Sequence, residues 1–151
     1  MWGTCGSGGG SGPTVSRVAA DQSSTVVTFA DVTGLTFPMA ASTSYSFVCE
    51  LSYLTAITTT ALQVSMNGPA SPTAVRYTVQ TATSATAVHN ASQSAYEANT
   101  NPASGLTTAL PVRIAGTVTN GPTAGTLAVR MRSEVAASSV TVQRGSWCAF
   151  Y

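Results

Sequence analysis

Lysine is absent from this chain, and charge of either sign is scarce. Charged residues make up 7% of the sequence, where a soluble domain ordinarily carries about 25%. Six cations, all arginine, face five acids, for a net charge of +1. Nucleic acid is held by clustered cations that displace its counterions. Here the arginines are scattered, the closest pair being Arg130 and Arg132 on one face of one predicted strand, so no nucleic-acid partner is expected. No apolar run reaches the roughly 18 residues that a membrane-crossing helix needs, so no membrane is expected either. The start "MWGTCGSGGGSGP" lacks the basic segment and apolar stretch of a secretory signal. Assembly in the cytoplasm is the expectation.

Chemistry-bearing residues are also few. Histidine occurs once, at His89, and no Gly-x-Ser-x-Gly elbow accompanies the many serines. The acids are Asp21, Asp31, Glu50, Glu97 and Glu134. Glycoside hydrolysis needs two carboxylates across a cleft, and nothing in this spacing pairs them; ion pairs with the arginines are expected instead. "GSGGGSG" (6–12) lacks the lysine and following helix of a phosphate loop. The triplet Asn90-Ala91-Ser92 fits a glycosylation sequon, with no secretion signal to support it. The three cysteines, Cys5, Cys49 and Cys148, are odd in number, widely spaced and without a Cys-x-x-Cys zinc pair. They read as buried free thiols in a reducing compartment. A Cys49–Cys148 bridge stays open, because both lie on predicted strands. No catalytic residue, cofactor or metal is expected, and the chain reads as a non-enzyme.

What the chain has is Ser, Thr, Ala, Asn and Gln to cover its surface, and 44% apolar residues to build a core. Low charge removes one guard against self-association. Such a surface suits a subunit that buries much of itself against copies of itself.

Residues 1–13 read as a flexible Gly/Ser-rich arm, with Trp2 as an anchor for a neighbouring subunit. Residues 14–151 read as one β-sandwich domain. The clearest strand is 44–56, where Tyr45, Phe47, Cys49, Leu51 and Tyr53 alternate with polar residues at a period of two. Further strands are predicted at 24–32, 59–69, 73–81, 84–92, 108–120, 126–134 and 139–151. Turns fall at Asn67-Gly68-Pro69 and 120–125. Residues 34–43, with Pro38, and 93–105 are predicted loops. The class is all-β: an antiparallel, jelly-roll-like sandwich of about eight strands, with an immunoglobulin-like sandwich as runner-up.

The chain closes on "VTVQRGSWCAFY", an aromatic strand where a frayed tail would be polar. Trp147 and Phe150 fall on opposite sides of it, so both faces of the strand should be covered. One cover is the core and the other a neighbouring subunit, with Gly145 marking a bulge. Arginine is the cation favoured at interfaces. The expected interface residues are therefore Trp2, Arg130, Arg132, Arg144, Trp147 and Phe150.

The stretches "FADVTGLTFPMAASTSYSFVCEL", "MNGPASPTAVRYTV" and "GTLAVRMRSEVAASSVTVQRGSWCAFY" resemble small tailed-bacteriophage virion proteins and tail-fibre C-terminal domains. The resemblance covers about residues 25–151. Its shared elements are Val32-Thr33-Gly34-Leu35, Asn67-Gly68-Pro69, the Arg130–Ser133 region and Gln143-Arg144-Gly145-Ser146-Trp147. It carries no catalytic motif. It implies a β-rich homotrimer on the outside of a virion, assembled in the host cytoplasm, with the major capsid protein or another virion protein as partner. A capsid decoration (cement) protein is the first reading, since a short arm suits a clip on a capsid lattice. A tail-fibre or receptor-binding tip is the alternative. A carbohydrate-binding module, with Tyr53 or Tyr96 as platform, is the third.

Overall fold

Short Thr- and Val-rich segments with apolar residues at every second position must each bury one face, and two sheets packed face to face satisfy all of them at once. A computed structural model describes residues 12–151. Trp2 and Cys5 lie outside the described residues. The strands are β1 (Thr14–Arg17), β2 (Gln22–Ser24), β3 (Ala30–Met39), β4 (Ser44–Thr55), β5 (Leu62–Asn67), β6 (Ala74–Ala82), β7 (Val88–Gln93), β8 (Leu110–Thr119), β9 (Gly125–Ser133), β10 (Val140–Val142) and β11 (Trp147–Phe150).

They form two antiparallel sheets. The larger has eight strands, ordered β1-β11-β4-β8-β6-β7, with β10 beside β4 and β2 beside β10. The smaller is β3-β9-β5. Along the chain, β3, β4, β5 and β6 pass alternately from one sheet to the other, the winding of a jelly-roll-like sandwich. The core lies between the sheets. Leu35, Phe37, Val64, Met66, Leu127 and Val129 of the smaller sheet face Leu51, Tyr53, Val79, Val112 and Ile114 of the larger.

The predicted strand 24–32 is mostly the loop 25–29 between β2 and β3, and three further sequence expectations change. The predicted loop at 34–43 is mostly strand: β3 runs through Pro38 to Met39. Proline is tolerated because β3 is an edge strand, so its missing N–H breaks no ladder. The strand bulges between Asp31 and Thr36, where Gly34 has a positive φ of 92°. A side chain there would also meet the Arg17 carbonyl oxygen at 2.4 Å from its Cβ.

Second, the predicted strand 139–151 is split into β10 and β11. Both pair with the same edge of β4, Val142 opposite Tyr53 and Trp147 opposite Glu50. The four residues between them leave the ladder through Gly145, whose φ is 90°. The excursion is held down by bonds from Gly145 N to Val18 O at 3.0 Å and from Arg144 N to Asp21 Oδ1 at 2.7 Å.

Third, Cys49 and Cys148 are not free thiols. They sit directly opposite each other on β4 and β11 and form a disulfide. Both point into the core and are fully buried. The register alone brings them together, with Cα atoms 4.0 Å apart. A bridge of this kind persists in oxidising surroundings.

The closing strand is therefore central to the core. Phe150 stacks on Phe37 of β3 with ring centroids 4.6 Å apart, and Phe37 meets Tyr45 edge-on at 5.1 Å. These rings join the two sheets, and the disulfide closes a span of 99 residues. Replacing both cysteines (Cys49→Ala with Cys148→Ala) is expected to lower unfolding free energy by about 2–5 kcal/mol. Urea unfolding of the two forms checks this; equal midpoints would show that the bridge adds nothing to the fold.

Candidate functional site

The outer face of the smaller sheet gathers Arg130, Arg132, Asp31 and Glu97. On β9, Arg130 stands opposite Asp31 of β3 and Ser65 of β5, and Arg132 stands opposite Gln63. Arg130 Nε lies 2.8 Å from Asp31 Oδ1, an ion pair without hydrogen-bond alignment. Its Nη1 contacts Glu97 Oε1. Glu97 reaches this position from the loop after β7, where it takes a positive φ of 56° and its N–H donates to Met66 O at 2.9 Å. Arg132 donates from Nε to Gln63 Oε1 at 2.7 Å and from Nη1 to Val27 O at 3.1 Å. Its guanidinium lies 4.4 Å over the Phe29 ring. Both arginines are thus engaged within their own chain. Asp31 and Glu97 share one cation rather than facing each other across a cleft, which is not the geometry of paired acid–base catalysis.

The outer face of the larger sheet is different. Its side chains form transverse rows set by the register. One row crosses six strands as Val15, Ala149, Val48, Ala115, Thr78 and Ser92. All of these are small and uncharged. The next row reads Arg17, Trp147, Glu50, Arg113, Gln80 and Asn90. Within it Arg113 Nη1 donates to Glu50 Oε1 at 2.7 Å. On the other side of the small row stand Ser46, Thr117 and Arg76. Two shallow open clefts mark this face, one around Ala82, Val88 and Pro111, the other around Thr78, Ala115 and Thr117.

The structure separates the expected interface residues. Trp147 is half-buried on the outer face of the larger sheet. Arg144 is exposed in the turn between β10 and β11. Arg130 and Arg132 are on the opposite side of the sandwich. Phe150 is corrected: at 2% exposure it is a core residue, because even positions of β11 point inward with Cys148. Trp2 lies outside the described residues. The register rows were not readable from the sequence, which does not reveal which strands are neighbours.

Tyr53 is fully buried and donates to Ala82 O at 2.6 Å, and Tyr96 packs against the core. Neither offers a platform to a sugar. His89 lies on the edge strand β7, opposite Thr81. Among the described residues no group of three or more His, Cys, Asp or Glu side chains could hold a metal. Among them also, no helix is long and apolar enough to cross a membrane.

A further feature escaped the sequence reading. The loops 25–29, 56–61 and 134–139 bond to one another, through Ser133 N to Val26 O, Ala137 N to Thr25 O, Glu134 N to Ala61 O and Ala56 N to Ser139 O. They expose Val26, Val27, Ile57 and Val135 as a firm apolar end to the sandwich.

No family model matches this chain, and no curated protein matches it. Among solved structures, it is similar to the crystal structure of the infectious bursal disease virus VP2 subviral particle, at 11% identity and a TM-score of 0.28. The match covers 91% of this chain and 39% of that one. A likeness at that level carries no argument about function.

Two outcomes are expected from this geometry. Arg130→Met leaves Asp31 and Glu97 close together without their cation, and should lower stability by about 1–2 kcal/mol at neutral pH. The loss should shrink at high salt, which screens exposed charges; a loss unchanged by salt would mean packing, not charge, is responsible. Burial pushes the Tyr53 hydroxyl up from 10.0 to about 12, and burial also raises Tyr77 and Tyr96. The unfolded chain therefore loses these protons first. Stability is complete below pH 10.0 and falls as pH rises towards about 12. Phenolate absorbance that develops together with unfolding, rather than before it, checks this.

Proposed function

We propose that this chain is a non-enzymatic bacteriophage virion structural protein, acting as a homotrimer that decorates the outer surface of the head. The observation that carries it is the outer face of the larger sheet. That face is broad, uncovered by any described element and bears one acid, Glu50. An isolated monomer with so broad an uncovered face, crossed by a row of small uncharged side chains, invites association. The phage resemblance points the same way. The buried disulfide suits a particle that is released into an oxidising medium. Attachment to the shell draws on many repeated contacts, each bound subunit raising the effective concentration of the next. Residues 1–13 serve as the clip, with Trp2 as its anchor.

The apolar loop end of Val26, Val27, Ile57 and Val135 favours a second reading, a tail-fibre or receptor-binding tip. Loops at one end of a sandwich are where such modules carry recognition.

Light scattering across a concentration series is the first test, with a mass near three chains expected. A single-chain mass throughout would overturn the assembly. The oligomer should then co-sediment with purified empty capsids, whereas adsorption to host cells alone would select the tip. Deleting residues 1–12 should leave the oligomer folded but abolish capsid binding. Undiminished binding would dismiss the arm.

A further inference from the structure

Resting on the homotrimeric reading above, we infer that the outer face of the larger sheet is the surface by which copies of this chain pack on one another, about a three-fold axis parallel to the strands and above β4 and β8. Rotation about such an axis preserves height along the strands, so each transverse row of one copy meets the same row of the next. Every row is suited to meeting itself.

The row of Val15, Ala149, Val48, Ala115, Thr78 and Ser92 presents only small uncharged groups. Small against small lets the sheets of neighbouring copies close in around the axis. In the neighbouring row the acid is on β4 and the cation is on β8, as Glu50 and Arg113. The rotation turns the β4 half of one copy towards the β8 half of the next. Glu50 of one copy then faces Arg113 of the next, and the exposed pair of one chain becomes part of an alternating charge network. On the far side, Ser46 faces Thr117 and Arg76 faces Tyr151, which pairs with Ser46 beyond β11, with no like charge opposed in that row.

Six strands of 4 to 12 residues, spaced about 4.8 Å apart, present ~700 Å², which a trimer shares between two neighbours. The smaller sheet offers no such match. Its arginines are already engaged within the chain by Asp31, Glu97 and Gln63.

The test is molar mass by light scattering for the full chain and three variants, with folding checked by circular dichroism. Ala115→Arg in the small row should reduce the oligomer to a single-chain mass. Thr78→Arg does the same from an exposed position and covers the case in which Ala115→Arg fails to fold. Arg132→Gln, on the opposite side of the sandwich, should leave the mass unchanged. A wild-type oligomer whose mass survives both row variants would overturn this interface while leaving the proposed assembly intact. Loss of the oligomer in Arg132→Gln alone would move the interface to the smaller sheet. A wild-type single-chain mass at every concentration would overturn both the interface and the assembly.

Discussion

The strand β11 contributes four residues to the larger sheet, and the rest of the sandwich is arranged around it. It lies between β1 and β4. Cys148 ties it to β4 covalently, and Phe150 reaches across the core to stack on Phe37 of the smaller sheet. Covalent link, strand pairing and inter-sheet contact meet there. The aromatic terminus is explained by this position: a strand paired on both edges cannot fray, and its inward residues must be large enough to fill the gap between sheets. Its outward residues, Trp147 and Ala149, open the broad face that the remaining strands extend.

Scarce charge shapes the two faces differently. On the smaller sheet, Arg130 is paired with Asp31 and Glu97, and Arg132 is hydrogen-bonded by Gln63. Charge there organises the chain itself. On the larger sheet, a row of small side chains runs between rows that carry Arg17, Glu50 and Arg113 on one side and Arg76 on the other. A sandwich with one self-satisfied side and one open side has a direction.

Period-two alternation in 44–55 placed Phe47, Cys49, Leu51 and Tyr53 inward without reference to any other strand, because alternation is a local property. The strands at 59–69, 73–81, 108–120 and 126–134 were legible for the same reason. Pro38 misled, since a proline in a strand is permitted only by an edge position that no local pattern announces. Cys49 and Cys148 were legible as residues on strands but not as a pair. Phe150 was legible as an aromatic on an ordered strand, but not as a core residue, because both faces of that strand carry aromatics. Glu97 and Arg130 could not be joined from the sequence either, since a loop with a left-handed residue delivers the acid.

The sequence by itself determined the class of this protein: all-β, sparsely charged, one sandwich domain from about Thr14 onward, without a catalytic motif. Alternation and composition act along the chain, and these conclusions need nothing else. Tertiary structure alone decided which strands are neighbours. That choice set the disulfide, the six-strand rows of small and charged side chains, and the division into a self-satisfied face and an open one. The physical reason is that register relates residues far apart in sequence, through backbone hydrogen bonds that every residue except proline can make. The bonds themselves do not discriminate between partners, and only the packed core selects one arrangement.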